Sequence, residues 1–167
     1  MPSLSHITHE SIPIFIDNES KVLILGSLPS VKSREDGFYY AHKRNRFCLV
    51  LSRLFNEEEP LTVKERKSFL KKHHIALYDV IYECDIHGSS DASITNVKVI
   101  DIENILKTYP NIKCIAINGG KAKQLFDRYL LDKVKQDIKV IYLPSTSPAN
   151  AKTVVDELIQ HYSVIFE

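Results

Sequence analysis

Basic and aromatic residues concentrate in one stretch of the chain, residues 27–46, which reads SLPSVKSREDGFYYAHKRNR. Five basic residues outnumber two acidic ones there, whereas the whole chain carries a formal net charge of only +1. Aromatic rings that stack on bases, interleaved with cations that neutralise phosphates, are typical of nucleic-acid-binding surfaces. In the alternative interpretation, Phe38, Tyr39 and Tyr40 fold beneath the loop as a small satellite core. Because the overall charge is close to zero, any affinity for nucleic acid must come from a local patch, and this stretch is the predicted binding surface.

Amide and hydroxyl side chains accompany this stretch. Asn45 carries two hydrogen-bond donors and one acceptor, so it can hold a water molecule but cannot act as a strong base. Asparagine also caps helices well, and a helix is predicted to start near Arg46, so capping is the alternative and both roles can coexist. Ser145, Thr146 and Ser147 lie at the predicted start of the last helix. Hydroxyl and N–H groups there suit a phosphate, and ordinary helix capping is again the alternative.

Four short runs are predicted as strands, because each is continuously apolar, as in strands buried on both faces. They are residues 21–28, 75–82, 113–118 and 139–143. Between and after them lie stretches with helical periodicity, residues 47–55, 62–73, 102–109, 120–131 and 151–161. This alternation predicts an α/β fold, a three-layer α/β/α sandwich around a mostly parallel four-stranded sheet.

In such a fold, ligands bind beyond the carboxyl ends of the strands, where loops leave the sheet. The segments that meet this criterion are residues 27–46, 83–94, 118–121 and 144–150. Asp79 ends the second apolar run, where it either contacts a ligand or serves as a cap or ion-pair partner in the following loop. Asn118 ends the third run, where a turn role in Asn-Gly-Gly is at least as good an explanation.

Length and composition bound the other possibilities. With 167 residues, the chain is expected to form one domain over residues 1–167. Cys48, Cys84 and Cys114 follow no disulfide, zinc or iron–sulfur spacing, so we expect free thiols, no metal and no cofactor. Residues 1–11 lack signal-peptide features, and no apolar run approaches about 20 residues, so we expect a cytoplasmic protein outside the membrane. A monomer is the default expectation.

Several motifs together resemble the uracil-DNA glycosylase superfamily. The first comprises GSLPS at residues 26–30, GFYYAH at 37–42 and NRF at 45–47. The others are ALYDV at 76–80 with Cys84 and GSSD at 88–91, ING at 117–119, and LPSTSPAN at 143–150. The joint spacing of the first and last motifs is specific, and the resemblance covers nearly the whole chain. The hypoxanthine (deoxyinosine) DNA glycosylase branch is most similar, followed by the mismatch-specific uracil/thymine glycosylases.

This resemblance implies an enzyme that hydrolyses the N-glycosidic bond of a deaminated base flipped out of DNA, without lyase chemistry. Asn45 matches the asparagine on which the hypoxanthine branch relies for catalysis. Tyr40 matches a ring that stacks on the extruded base, and Asp79 matches a residue that accepts the N1–H of hypoxanthine or the N3–H of uracil. Further base-binding candidates are Leu28, His42 and Asn118. Candidates for contact with DNA phosphates are Gly26, Ser27, Pro29, Ser30, Arg44, Ser145, Thr146 and Ser147.

The chain departs from the superfamily pattern at positions that bear on activity. Leu28 occupies the place of the carboxylate or amide that activates water in most relatives, a loss shared with the hypoxanthine branch. Leu143 replaces a histidine that stabilises the departing base, and Cys48 replaces a tryptophan. These departures keep two other hypotheses open: a uracil/thymine mismatch enzyme, and a DNA- or nucleotide-binding protein that has lost catalysis. Leu28 counts against the first of these, and retention of Asn45 and Tyr40 counts against the second.

Overall fold

A computed structural model describes residues 4–88 and 91–167 of the chain. Within the GSSD motif, Ser89 and Ser90 lie outside the described residues, as do residues 1–3 of the opening segment. In the described part, the strands are β1 (Leu4–Thr8), β2 (Val22–Gly26), β3 (Ile75–Asp79), β4 (Ile81–His87), β5 (Thr95–Val99), β6 (Cys114–Asn118) and β7 (Lys139–Leu143). The α-helices are α1 (Val31–Asp36), α2 (Phe47–Leu54), α3 (Val63–Lys72), α4 (Ile102–Thr108), α5 (Gly120–Tyr129) and α6 (Val155–Ser163).

The central sheet has four strands in the order β3-β2-β6-β7, and every neighbouring pair in it is parallel. Every residue of β2, β3 and β6 is buried, which explains why these runs are continuously apolar rather than alternating. β7 is the edge strand and is mostly half-buried or exposed. The predicted parallel four-stranded sheet is confirmed.

The direction of the connections places helices on both faces of this sheet. The connection from β2 to β3 carries α1, α2 and α3, and it runs the opposite way across the sheet from the connections that carry α4 and α5. Because crossovers between parallel strands are right-handed, opposite directions put their helices on opposite faces. α6 packs against α2 and so joins the first face. The predicted α/β architecture, with helices on both faces of a parallel sheet, is confirmed.

The predicted strand over residues 75–82 is wrong, because this run forms two strands in two different sheets. β3 ends at Asp79, and after Val80 the chain enters β4, the middle strand of an antiparallel sheet with order β1-β4-β5. Val80 still donates its N–H to the Gly26 carbonyl over 2.8 Å, and Ile81 donates to the Ser27 carbonyl over 3.0 Å. Hydrogen bonds to the end of β2 therefore fix the point where the chain leaves the central sheet. No proline or glycine marks this point in the sequence.

The last helix begins later than predicted. The expected helix over residues 151–161 starts only at Val155, because residues 147–154 form turns. The Arg46 side chain holds these turns by donating to the carbonyl oxygens of Asn150 and Thr153. No helix in the described ranges, 4–88 and 91–167, has the length and apolar character needed to cross a membrane.

The long aromatic and basic stretch is more structured than a loop. It contains α1, whose first turn is capped by the Ser30 hydroxyl accepting from the Ser33 N–H over 3.1 Å. Phe38 and Tyr39 are both 3 % exposed and belong to the core, so the satellite-core alternative is correct for these two rings. Tyr40 alone of the three remains half-buried. The predicted base-stacking surface is therefore wrong for Phe38 and Tyr39.

Candidate active site

A cleft of about 260 Å³ opens at the carboxyl ends of β2, β3 and β6. It includes the point between β2 and β6 where the connections that leave these two strands run in opposite directions across the sheet, which is where open α/β sheets bind ligands. Every sequence-predicted site residue except Arg44 lines it. These residues are Gly26, Ser27, Leu28, Pro29, Ser30, Tyr40, His42, Asn45, Asp79, Asn118, Ser145, Thr146 and Ser147.

A directional hydrogen-bond chain joins two asparagines through one threonine. The Phe47 N–H donates to Asn45 Oδ1 over 3.0 Å, and the Thr146 N–H donates to Asn118 Oδ1 over 3.1 Å. Because N–H groups only donate, these contacts fix which end of each amide is oxygen. Asn118 Nδ2 then donates to Thr146 Oγ1 over 3.1 Å, and the Thr146 hydroxyl donates to Asn45 Oδ1 over 2.8 Å.

This chain leaves one group of Asn45 available to a ligand. Asn45 Oδ1 already accepts two hydrogen bonds, whereas Asn45 Nδ2 donates to no protein group in the described part of the chain. The Asn45 side chain thus satisfies the N–H of Phe47, the first residue of α2, from the position before the N-cap residue Arg46, and Asn45 also lines the cleft. The predicted N-cap is therefore not Asn45 but Arg46, and the catalytic role of Asn45 stays a prediction.

The Tyr40 ring forms one wall of the cleft. It stacks on Phe47 with ring centroids 4.2 Å apart and an interplanar angle of 26°, and Phe47 is itself buried in the core. The Tyr40 backbone has a φ of 54°, a left-handed conformation that is uncommon outside glycine. Burial and the nearby Asp79 carboxylate raise the pKa of the Tyr40 phenol above its ordinary value, so the phenol stays protonated.

Asp79 is buried, and its two oxygens face different groups. Oδ1 lies over Gly26, where a Cβ atom would come within 2.5 Å of it, so only glycine permits this approach. Oδ2 lies 3.1 Å from Nε2 of His9, a histidine that is only 2 % exposed. Burial raises the pKa of Asp79, and the contact with His9 opposes that rise.

The serine–threonine segment lines the cleft, although not at a helix N-terminus as predicted. α6 begins only at Val155, so neither its N–H groups nor its dipole reach Ser145 or Ser147. The Thr146 side chain is fully buried and bonded to both asparagines, so its predicted phosphate contact is wrong and it positions other residues instead. Ser145 accepts from the Ser147 N–H over 3.0 Å in a local turn.

Few of the predicted cations are free to meet a phosphate. Lys32 pairs with Asp36 over 3.1 Å, and the Arg46 guanidinium is occupied by backbone carbonyls. Lys43 and Arg44 are exposed, and the Arg44 N–H donates to Nδ1 of His42 at the rim of the cleft over 3.1 Å. Arg44 therefore lies beside the cleft but does not line it.

His9 and Ser33 belong to the site or its support and were not predicted, and Tyr39 was predicted for base stacking rather than for support. The buried Ser33 Oγ accepts from the Ala41 N–H over 3.2 Å, which holds the stretch that carries Tyr40. The Tyr39 hydroxyl donates to the Pro13 carbonyl over 3.1 Å and so fixes the segment that follows His9. For His9 the only signal was a histidine beside the apolar residues of the opening segment, which does not indicate a contact 70 residues away.

Cys48, Cys84 and Cys114 are buried free thiols, and Cys48 fills core space where the resembled family has tryptophan. Among residues 4–88 and 91–167, no three His, Cys, Asp or Glu side chains are grouped so as to hold a metal ion.

The chain is similar to proteins that carry the same fold. A sequence model of the "Uracil DNA glycosylase superfamily" matches residues 13–162. The solution NMR structure of a Methanosarcina acetivorans protein, described as a candidate uracil DNA glycosylase, superposes with a TM-score of 0.77. The two share 26 % sequence identity, and the match covers 93 % of this chain and 97 % of the other.

Two curated relatives are similar over most of their length. The hypoxanthine DNA glycosylase of Methanosarcina acetivorans is 30 % identical over 141 residues, covering 84 % of this chain and 87 % of the relative. The hypoxanthine DNA glycosylase of Methanosarcina barkeri is 27 % identical over 146 residues, covering 87 % and 90 %. Since the family match spans most of the chain and agrees with the fold and the place of the cleft, this protein belongs to the uracil DNA glycosylase superfamily.

Proposed function

We propose that this DNA glycosylase is monofunctional and hydrolyses the N-glycosidic bond of a deaminated base flipped out of DNA, with hypoxanthine as its preferred base. The observation that carries the proposal is that one cleft holds both an amide donor, Asn45 Nδ2, and a carboxylate oxygen, Asp79 Oδ1. The names of the two curated relatives support hypoxanthine as the base.

Asn45 is proposed to position the attacking water. As the base leaves, C1′ becomes oxocarbenium-like, and such a centre reacts with water that is held in place without prior deprotonation. Asn45 Nδ2 donates to the water oxygen, while the contacts of Asn45 Oδ1 with Phe47 and Thr146 keep the amide from rotating. This role agrees with the apolar Leu28 in the cleft, which cannot activate water itself.

The remaining cleft residues are proposed to bind the base and the backbone. Tyr40 offers its ring face to the extruded base, and stacking of this kind contributes about 1–3 kcal/mol per base. Asp79 Oδ1 accepts an N–H from the base edge. Asn118 and His42 line the same cleft and provide polar contacts for the base.

Contacts with the DNA backbone are assigned to the loop after β2 and to the serine turn. Ser27, Pro29 and Ser30 with Gly26 form one side of the cleft, and Ser145 and Ser147 form another. Arg44 adds an exposed charge at the rim. Among the described residues that line the cleft there is no lysine, so the site offers no amine for a lyase step, which supports hydrolysis alone.

Duplexes that contain inosine, uracil, xanthine or a G·T mismatch, followed by alkaline cleavage of abasic sites, test the proposal. Excision of hypoxanthine that Asn45→Ala abolishes supports it. Cleavage of uracil or thymine alone points to the mismatch enzyme, because the N3–H of those bases also suits Asp79. DNA binding without any abasic product points to a binding protein.

Asn45→Asp examines the proposed water contact directly. A carboxylate still accepts from the Phe47 N–H and the Thr146 hydroxyl, so both contacts of Asn45 Oδ1 are kept, but the amide donor is lost. We expect single-turnover excision to fall by about 10²-fold. Asn104→Asp, an exposed position on α4, is the matched control. Full activity of the Asn45→Asp variant contradicts the donor role.

A further inference from the structure

His9 is a buried histidine directly behind the cleft that the proposed reaction does not use. It follows β1, which places it under the end of β3. Its Nδ1 lies 2.7 Å from the Ile12 carbonyl oxygen, and its Nε2 lies 3.1 Å from Asp79 Oδ2. Neither Nε2 nor Oδ2 has any other partner in the described part of the chain.

The positions of these atoms require one proton between His9 and Asp79. A carbonyl oxygen only accepts, so Nδ1 of His9 carries a hydrogen. Without a further proton, the Nε2 lone pair would face a carboxylate oxygen in a site closed to water, which is a repulsive contact. A proton on Nε2 gives an imidazolium and a carboxylate, whereas a proton on Oδ2 gives two neutral groups. Both arrangements satisfy the contact.

We infer that His9 holds this proton on the Oδ2 side of Asp79 and thereby keeps Oδ1, the oxygen on the cleft side, a hydrogen-bond acceptor in either arrangement. His9 is thus a positioning residue for base recognition, an inference that rests on the proposed function of the cleft. Oδ1 forms no protein hydrogen bond in the described part of the chain and is not fully enclosed, so it is free to accept from a ligand.

An oxygen that can only accept a hydrogen bond distinguishes a deaminated base from the base it was formed from. Adenine presents a bare N1 acceptor, and its deamination to hypoxanthine turns that position into an N1–H donor. The same change converts the N3 of cytosine into the N3–H of uracil. A carboxyl group that carried its proton on Oδ1 would donate to adenine and lose the distinction. His9 therefore increases the preference of the site for hypoxanthine over adenine, because it keeps the proton away from Asp79 Oδ1.

The groups that surround His9 do not compete for this proton. Tyr39, Tyr78 and Tyr82 pack around the imidazole, with ring centroids 6.0, 4.8 and 6.1 Å away. Burial raises the pKa of Tyr78 to about 12 and raises that of Tyr39 further, so both phenols are neutral near pH 7. On the side of Gly26, the Tyr40 hydroxyl lies near the carboxylate, and its raised pKa keeps it neutral.

Histidine ¹⁵N NMR tests the proton arrangement without any need for activity. In the free wild-type protein, we expect His9 Nδ1 to remain protonated from about pH 5 to pH 8. Asp79→Asn should then change the Nε2 signal of His9 and leave that of the exposed His161 unchanged. A bare Nδ1, or a His9 Nε2 signal that ignores Asp79→Asn, overturns the inference whether or not the protein excises hypoxanthine.

His9→Gln tests the consequence for specificity. The glutamine amide can donate to Oδ2 but does not titrate, so Asp79 loses the group that opposes its raised pKa and takes up a proton at higher pH on either oxygen. We expect the acidic limb of the pH profile for hypoxanthine excision to move to higher pH. The ratio of hypoxanthine to adenine excision at about pH 6 should fall at least about tenfold.

Inosine or adenine is placed opposite a tetrahydrofuran abasic analogue, so that base pairing adds nothing to the comparison. His161→Gln is the matched control on α6. An unchanged ratio and pH profile in the folded His9→Gln variant overturns the inference. If the wild-type protein excises no base, the proposed function fails, and the NMR measurement still decides the proton arrangement.

Discussion

The Thr146 hydroxyl donates to Asn45 Oδ1 over 2.8 Å, although 101 residues separate the two in sequence. This contact joins the loop after β7 to the start of α2, so the orientation of the proposed catalytic amide depends on both ends of the chain. Thr146 is fully buried and also accepts from Asn118 Nδ2, which makes it the common support of two cleft asparagines.

Thr146→Val should therefore reduce catalysis more than binding. Valine fills the same space but cannot donate to Asn45, and displacement of a reacting group by about 1 Å can reduce the rate by about 10²-fold. We expect kcat for hypoxanthine excision to fall by about 10- to 100-fold with little change in KM, and Thr146→Ser to restore most of it. Thr108→Val on α4 is the control. Equal losses for the valine and serine variants would show that the hydroxyl is unimportant.

Gly26→Ala should displace Asp79. A Cβ atom at Gly26 would lie 2.5 Å from Asp79 Oδ1 and 3.4 Å from the Tyr40 hydroxyl, so the carboxylate or the strand must move. We expect the free energy of unfolding to fall by about 1–3 kcal/mol and excision to fall by about 10²-fold. Denaturant unfolding and single-turnover excision measure the two effects.

Gly120→Ala provides the matched comparison. No atom lies within 4 Å of a Cβ at Gly120, which is the first residue of α5. Alanine also favours helix, so this change should leave stability equal or raise it by up to about 1 kcal/mol. Similar behaviour of the two alanine variants would contradict the steric account of Gly26.

The sequence predicted the central sheet and most of the cleft for physical reasons. Fully buried parallel strands must be continuously apolar, and polar residues at their carboxyl ends, such as Asp79 and Asn118, must lie near one another. Thr146 was predicted for the wrong role, because its burial depends on the turns that replace the first part of the last helix. The boundary at Val80 gave no local signal, because hydrogen bonds from β2 enforce it. His9 reaches Asp79 only through the antiparallel sheet, which was not predicted.

Stability near neutral pH should depend on the contact between β1 and β4. His6 Nδ1 lies 2.8 Å from Asp85 Oδ1, and His6 Nε2 lies 2.9 Å from Glu83 Oε2. Hydrogen bonds to Asp85 and then Glu83 raise the pKa of His6 above its ordinary value of 6.5. The pKa of Glu83 is lowered, first by Lys98 and then by His6, and that of Asp85 is lowered by Asn96 and His6.

The sign of each contribution follows from the direction of its shift. The raised pKa of His6 gives stability that is complete below pH 6.5 and is lost as the pH rises through the folded-state value. The lowered pKa values of Glu83 and Asp85 give stability that is present above 4.5 and 3.8 and is lost as the pH falls through their folded-state values. The contact is therefore strongest in the window between these limits.

His6→Gln should lower the melting temperature most at about pH 5.5 and progressively less towards about pH 9. Thermal unfolding of the two proteins across this range measures the difference, and His161→Gln controls for the loss of a histidine elsewhere on the surface. A difference in melting temperature that stays constant with pH would show that the charge of His6 does not contribute.

Arg44 and Arg46 are two residues apart, but replacement by glutamine should weaken DNA binding at Arg44 and lower the free energy of unfolding at Arg46. Arg44 is exposed at the rim of the cleft, whereas the Arg46 side chain donates to carbonyl oxygens of Asn150 and Thr153. Arg44→Gln should weaken binding to all duplexes alike and reduce the slope of log K against log salt by about 1, with no change in the free energy of unfolding. Arg46→Gln should lower that free energy by about 1–3 kcal/mol, because it removes charge-assisted hydrogen bonds to partly buried carbonyl groups. Fluorescence anisotropy at several salt concentrations and urea unfolding separate the two effects, with Lys107→Gln on α4 as the charge control. A salt slope that Arg44→Gln leaves unchanged would remove Arg44 from the proposed DNA-binding surface.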